Sequence, residues 1–251
     1  MARASIAAAL ATCAILLPSG PVVAAEIKVI ASPGVRGAVT ALVPQFERET
    51  GHKVLTDFAV IAVLKRRIEA GEAFDIVIPS PELIDDLIKQ GKVAVDTRTA
   101  FGRTGLGVLV RKGIPKPDIS TVEAFKSALL NAKSVGHSKE GQTGVNFLIV
   151  LERLGIAAEM KPKLKTYEGT AMAEAIERGT EEIGVTGMGP VLEMNSAHIV
   201  GGLPPEIQRY VNFGAGVSAS SKEPEVARAL LRFMTSPSAA AVAKTKGLDR
   251  Q

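Results

Sequence analysis

One stretch near the start, Glu26 to Val54, reading EIKVIASPGVRGAVTALVPQFERETGHKV, leaves this chain few folds to choose from. A short apolar run, Ile27 to Ala31, breaks at Ser32-Pro33-Gly34. Apolar residues then return at helical spacing as Val35, Val39, Leu42, Val43 and Phe46. Gly51 stops the helix and Lys53 to Phe58 reads as a second strand. Strand, small-residue loop, helix and strand is the unit from which parallel sheets grow. In such sheets a ligand sits beyond the carboxyl ends of the strands, where loop amides and helix N-termini converge. Ser32, Gly34 and Arg36 are therefore the first candidate ligand-binding residues. Arg36 either brings a full charge to the ligand or stands in solvent.

The unit recurs. Asp57 to Ile61 leads into a helix carrying Val63, Leu64 and Ile68, with Lys65, Arg66 and Arg67 on its solvated side. Phe74 to Ile78 is a third buried strand, closed by Pro79-Ser80-Pro81, and Glu82 to Lys89 is the next helix. Three loops thus point the same way, which adds Ser80 to the candidates. The glycine-rich stretch Phe101 to Gly107, followed by the strand Val108 to Arg111, reads as a crossing into a second lobe. It is no nucleotide loop, because it lacks a Gly-Lys-Ser or Gly-Lys-Thr ending and a strand follows it.

The second lobe opens at Ser120-Thr121-Val122-Glu123, with Ser120 expected as the helix cap. A short strand near Ser134 precedes a polar loop, His137 to Gly144, and Thr143 or Gly144 opens the helix that carries Phe147, Leu148, Val150 and Leu151. Tyr167-Glu168-Gly169-Thr170 introduces a helix to Arg178. The strand Ile183 to Thr186 then ends at Gly187-Met188-Gly189-Pro190. Thr143, Thr170 and Thr186 join the candidate set. A glycine-rich strand, Val211 to Val217, returns to the first lobe, which the helices Pro224 to Met234 and Ser236 to Thr245 finish. The expected architecture is α/β and two-lobed, with two mixed sheets flanked by helices and two hinge strands. Residues 26–103 plus 212–251 form lobe 1, residues 104–211 form lobe 2, and the cleft between them closes on a ligand.

Residues 1–25 read as a secretory signal: Arg3, an apolar segment from Ile6 to Leu17, a Pro-Gly region and a small-residue end at Val23-Ala24-Ala25. Cleavage after about Ala25 gives a periplasmic protein. Cys13, the only cysteine, lies inside the apolar segment and follows Thr12 where a lipoprotein carries a small residue, so the mature chain has no thiol. Removal of Arg3 leaves 29 Lys and Arg against 26 Asp and Glu, an excess of three that mildly favours anionic ligands. The charges are interspersed, and with no Trp, two Tyr and eight Phe there is neither a nucleic-acid footprint nor a platform for stacking bases.

Hydrolytic chemistry finds no G-x-S-x-G elbow, and metal binding finds no paired histidines or clustered acids, so neither a cofactor nor a metal is expected. Anion capture is better served. Helix starts leave N–H groups to point at a ligand, and the helix dipole favours negative charge there by about 0.3 to 1 kcal/mol per exposed contact. Ser32, Ser80, Thr143, Thr170 and Thr186 place hydroxyls at five such points, although each is also an ordinary cap or turn residue.

Set out as IKVIASPGVRGAVTALVPQFERETGHKV, LKRRIEAGEAFDIVIPSPELIDDLIKQGKV, EAIERGTEEIGV, LPPEIQ and VARALLRFMTSPSAAAVAKTKG, the sequence resembles the molybdate-binding proteins of ABC importers. That resemblance covers the whole mature chain. It implies the type 2 periplasmic binding fold, a monomer, and an inner-membrane ABC permease as partner. The ligand residues depart from it: the family's first-loop serine falls on Gly34, its second-loop serine on Ile61 and its third-loop amide on Ser80. Its amide donor in the second lobe falls near Gly169 and its tyrosine near Gly187. Loss of three side-chain donors costs a buried oxyanion its hydrogen bonds, and glycine in place of serine enlarges the cleft. The expectation is the same machinery holding a larger anion, such as a carboxylate, in a binding protein and not an enzyme. Aconitate isomerase, an exported enzyme, resembles the same proteins and supplies the alternative, with Asp57, Glu168 or His137 as its base.

Overall fold

Val29, Ile30 and Ala31 are fully shielded from solvent, as strand residues must be when helices cover both faces of the sheet they build. The structure is a computed structural model that describes residues 24–139, 141–168, 171–192 and 197–250. In chain order it runs β1 (Glu26–Ala31), α1 (Arg36–Thr50), β2 (Lys53–Phe58), α2 (Ile61–Glu69), β3 (Ile76–Ile78) and α3 (Pro81–Lys89). There follow β4 (Thr99–Arg111), α4 (Val122–Asn131), β5 (Val135–Ser138), α5 (Gln142–Arg153), α6 (Ala157–Met160), β6 (Leu164–Tyr167) and α7 (Ala171–Arg178). The last elements are β7 (Ile183–Gly187), α8 (Met188–Leu192), β8 (Ala197–Gly202), β9 (Tyr210–Val217), α9 (Pro224–Thr235) and α10 (Pro237–Thr245).

The strands are ordered β2-β1-β3-β9-β4-β7-β5-β6, with β8 also on β4. Where two sheets were expected, hydrogen bonding is continuous, and the reason lies in β4. At about 3.4 Å per residue its 13 residues span roughly 44 Å. That is long enough for Thr99 to Gly105 to pair with β9 while Leu106 to Arg111 pair with β7 and β8. The glycines at 102, 105 and 107 therefore lie inside this strand and are not a loop before it. One strand consequently serves two cores. Phe101 packs with β1, α1, α9 and α10, while Leu106, Val108 and Val110 pack with Phe125, Leu129 and Phe147 of α4 and α5. Full burial of each such aromatic contributes about 1.5 to 3 kcal/mol.

Two further local expectations change. Thr121, and not Ser120, caps α4, its hydroxyl accepting from Ala124 N at 3.1 Å, while the Ser120 amide donates to Asp118 Oδ1 at 2.9 Å. His137 belongs to β5 and not to the following loop; it is 4% exposed, with its ring 5.6 Å from that of Phe147.

The basic triplet of α2 is mostly neutralised by neighbouring acids. Arg67 pairs with Asp57 and with Glu72, at 2.5 Å from Nε to Oε2, and Glu72 accepts also from Lys28 Nζ at 2.8 Å. This ties the end of α2 to β1 and β2. Arg67 and Lys28 hold the Glu72 carboxyl down at about 2, against an ordinary 4.5. A depressed carboxyl stabilises the fold above its unfolded value and loses that contribution as pH falls through its folded value. Stability is thus expected to decline between about pH 4.5 and pH 2, by about 1 kcal/mol from this group once solvent screening is discounted. Urea titrations across that range should show a smaller decline in Glu72→Gln, and an identical decline would remove the pair from the acid response.

Candidate functional site

Three parallel strands end side by side, since Ala31 of β1 is in register with Phe58 of β2 and Ile78 of β3. Their loops are locked together by Ser32 N donating to Ile78 O at 2.9 Å and Ala59 N donating to Ala31 O at 3.0 Å. Each loop runs at once into a helix. Pro33 to Val35 make a single tight turn before Arg36 begins α1, Val60 precedes Ile61 at the start of α2, and Ser80 caps α3. Pro33 and Pro81 occupy first-turn positions, where a missing N–H costs nothing.

The side chains here divide by use. Ser80 accepts from Leu83 N at 3.4 Å and so serves its own helix, whereas Ser32, 8% exposed, makes no capping bond. Arg36 has its guanidinium 4.5 Å over the Phe58 ring and forms no ion pair with a described residue. A cation is thus held at the ends of these strands by an aromatic face and not by an acid. Ile61 stands at a helix start and presents no side-chain donor to a ligand.

A second set of parallel strand ends repeats the arrangement. Ser138 of β5 pairs with Tyr167 of β6, and His137 pairs with Val185 of β7. The helices α5, α7 and α8 start just beyond. Gly141, with φ of 81°, precedes Gln142, which places Thr143 inside the first turn of α5. The Thr186 hydroxyl is 2.8 Å from that of Ser138, so these two satisfy one another, and Gly187 is the last residue of β7. Gly169 and Thr170 lie outside the described residues.

The two sets touch at the first loop. A Cβ on Gly189 would lie 2.8 Å from the Gly34 carbonyl oxygen, and Gly189 N donates to the Thr104 hydroxyl at 3.3 Å. A Cβ on Gly34 would lie 2.5 Å from Phe213 Cζ, and Phe213 is 3% exposed. The expectation that glycine here enlarges the cleft is therefore corrected, because the ring of β9 fills the space a serine would need. Phe213 escaped the sequence reading entirely, since nothing local couples two residues so far apart in the chain.

Electrostatics bear on the three candidate bases. Asp57 is held below the usual carboxylate range by the Arg67 hydrogen bond, and Glu168 by Lys139 Nζ at 2.6 Å. Burial keeps the His137 imidazole neutral at lower pH than usual, and its Nδ1 is 3.0 Å from the Ser138 carbonyl. Among the described residues no three His, Cys, Asp or Glu side chains come together as a metal site requires. The first set of strand ends thus carries helix-start amides, the Ser32 hydroxyl and the Arg36 guanidinium.

Residues 27–249 match the family described as bacterial extracellular solute-binding proteins. Aconitate isomerase of a Pseudomonas species is 29% identical over 250 residues, covering 95% of each chain. The molybdate-binding protein of Azotobacter vinelandii is 25% identical over 236 residues, 91% of each. The solved Azotobacter vinelandii periplasmic molybdate-binding protein superposes with a TM-score of 0.73 at 19% identity, over 90% of this chain and 100% of that one, which speaks for the fold alone.

Proposed function

The chain belongs to the family of bacterial extracellular solute-binding proteins, and from that membership we propose that it captures a small organic anion, a di- or tricarboxylate, for an ABC permease. In this reading residues 26–103 plus 212–251 and residues 104–211 are two lobes that close on the ligand, and the mature protein works in the periplasm as a monomer. The observation that carries it is the pair of aligned strand-end sets meeting at Gly34 and Gly189, with Arg36 lacking an acidic partner among the described residues. Amides at helix starts and one guanidinium suit a carboxylate. Molybdate is disfavoured, because Gly34 and Ile61 offer no hydroxyl where a buried oxyanion would need one.

A thermal-shift panel of molybdate, sulfate, phosphate, succinate and citrate tests this. A bound anion at about 100 times its dissociation constant stabilises by roughly 2.7 kcal/mol, so a clear shift is expected with a carboxylate and none with molybdate. No shift with any anion would overturn the reading. Arg36→Ala should weaken the binding roughly fivefold, the effect of about 1 kcal/mol for a charge pair with an exposed guanidinium, without lowering the unliganded melting point. Unchanged affinity would return Arg36 to solvent.

The 29% identity with aconitate isomerase favours a second reading, an isomerase acting on a small tricarboxylic acid. A base that moves a double bond needs a pKa near the working pH. The engaged states of Asp57 and Glu168 and the burial of His137 support binding over catalysis. Proton NMR of the protein incubated with cis- or trans-aconitate decides between them: interconversion would make it the enzyme.

A further inference from the structure

Among the described residues four arginines at the surface pair with acids, namely Arg67, Arg98, Arg178 and Arg228. Arg103 and Arg209 are placed differently. The main chain of Arg103 is clamped to Asp249, donating and accepting at 2.8 Å each way, and its guanidinium lies 4.0 Å over the Tyr210 ring. Its Nε is buried with no acceptor, and it forms no ion pair with a described residue. Asn146, 2% exposed and one turn into α5, gathers the surroundings. Its Oδ1 accepts from Gln142 Nε2 and from Arg209 Nε, both at 3.2 Å, and its Nδ2 donates to Tyr210 O at 3.4 Å. Two guanidiniums thus collect around the first turns of α5 and the start of β9 with no carboxylate paired to them among the described residues.

Arg103 is linked to the strand-end loops through its partner β9, whose Gly214 N donates to Pro79 O of the third loop at 3.0 Å, with its side chain on the opposite face of the ladder from the Phe213 ring. Arg103 pairs with Asn212, and the neighbouring Gly102 pairs with Phe213, the ring that abuts Gly34. We infer that Arg103 is a specificity-determining residue that binds a second carboxylate of the ligand, with Asn146 and Tyr210 positioning the cationic cluster. This rests on the anion-binding reading above. The planar fork of a guanidinium matches a carboxylate two bonds at a time, and the ring beneath presets its orientation. A tetrahedral oxyanion seated among the strand-end amides has no second group to reach it; succinate or citrate has. An unbalanced, half-buried cation gains most from such a partner, because its own desolvation is otherwise uncompensated.

Isothermal titration of the mature protein, Arg103→Gln and Arg103→Lys with citrate, succinate, acetate and molybdate tests the inference. Arg103→Gln is expected to bind citrate and succinate roughly 10- to 100-fold more weakly, the worth of a charge-assisted bond, while the weak binding of acetate stays unchanged. Arg103→Lys keeps the charge but not the fork and should recover only part of the loss. Should Arg103→Gln fail to fold, Arg103→Lys decides alone. Equal weakening of acetate and citrate, or citrate affinity equal to that of the unmodified protein, would return Arg103 to a structural role. Failure of the unmodified protein to bind any of the four would instead overturn the anion-binding reading itself.

Discussion

Gly144→Ala is expected to destabilise the protein by about 3 kcal/mol and to abolish anion binding, although alanine is the better helix former. A Cβ at residue 144 would lie 2.2 Å from the carbonyl oxygen of Ser138. The obstacle is backbone, so no rotamer relieves it. Either α5 moves off the end of β5 or the carbonyl turns away, and that carbonyl is the partner of His137 Nδ1 at 3.0 Å. Moving α5 drags Phe147 and Val150, both fully buried, out of register with β7 and β4. Overpacking of this kind costs about 1 to 3 kcal/mol and more where main chain blocks main chain, against a propensity gain of at most about 1 kcal/mol. It also displaces Gln142 and Asn146, on which Arg209 and Tyr210 depend. Urea denaturation gives the number, with Val145→Ala, exposed on the same helix, expected within about 0.5 kcal/mol of the unmodified protein. Stability of Gly144→Ala at or above the unmodified value would show that α5 and β5 are less closely fitted than the geometry requires.

What the sequence made legible follows from punctuation. Prolines at 33, 81 and 224 and the left-handed Gly51 mark helix starts and a stop within a residue of their places, because their backbone restrictions act locally. The helix read from Ser236 starts there, with the Ser236 hydroxyl accepting from Ala239 N at 3.2 Å. Short strands were harder. The four residues of β6 are exposed or only partly buried and carry no apolar run, and β8 is placed by its pairing with β4. A strand partner is a long-range choice that no window of sequence encodes, and hence one sheet stands where two were expected. The candidate site shows the same division. Ser32 and Ser80 could be read from their loops, while nothing in the sequence singles out Asn146, because only the fold gives it Arg209 and Tyr210 as neighbours. Thr186 was visible as a hydroxyl at a strand end, but its bond to Ser138 depends on β5 and β7 lying side by side.

Replacing Gly34 by serine, the residue that the molybdate-binding family carries there, is expected to cost stability and not to confer molybdate binding. The serine Cβ would meet the Phe213 ring at 2.5 Å, and that ring is packed with β1, α1 and α9, so it has nowhere to swing. A loss of about 1 to 3 kcal/mol follows from the overpacking. Phe213→Ala removes the obstacle but leaves a cavity, at a cost of about 3 to 5 kcal/mol. The two changes address one volume, so the double variant should be less destabilised than the sum of the singles, by at least about 1 kcal/mol in a denaturation cycle. Strict additivity would mean that Gly34 and Phe213 do not share that space. Molybdate titration of the double variant then separates two accounts of the first loop. If it acquires affinity that neither single variant has, the ring alone stands between this chain and an oxyanion pocket. If it does not, Ile61 also matters, since a second hydroxyl is still missing where α2 begins. In both cases the glycine and the phenylalanine are one feature, a loop kept narrow by a side chain from β9, and Arg103 stands one residue further along the strand that pairs with it. On the anion-binding reading, a ligand that leaves the first loop unwidened and also reaches that guanidinium carries charge at two ends, as a dicarboxylate or tricarboxylate does.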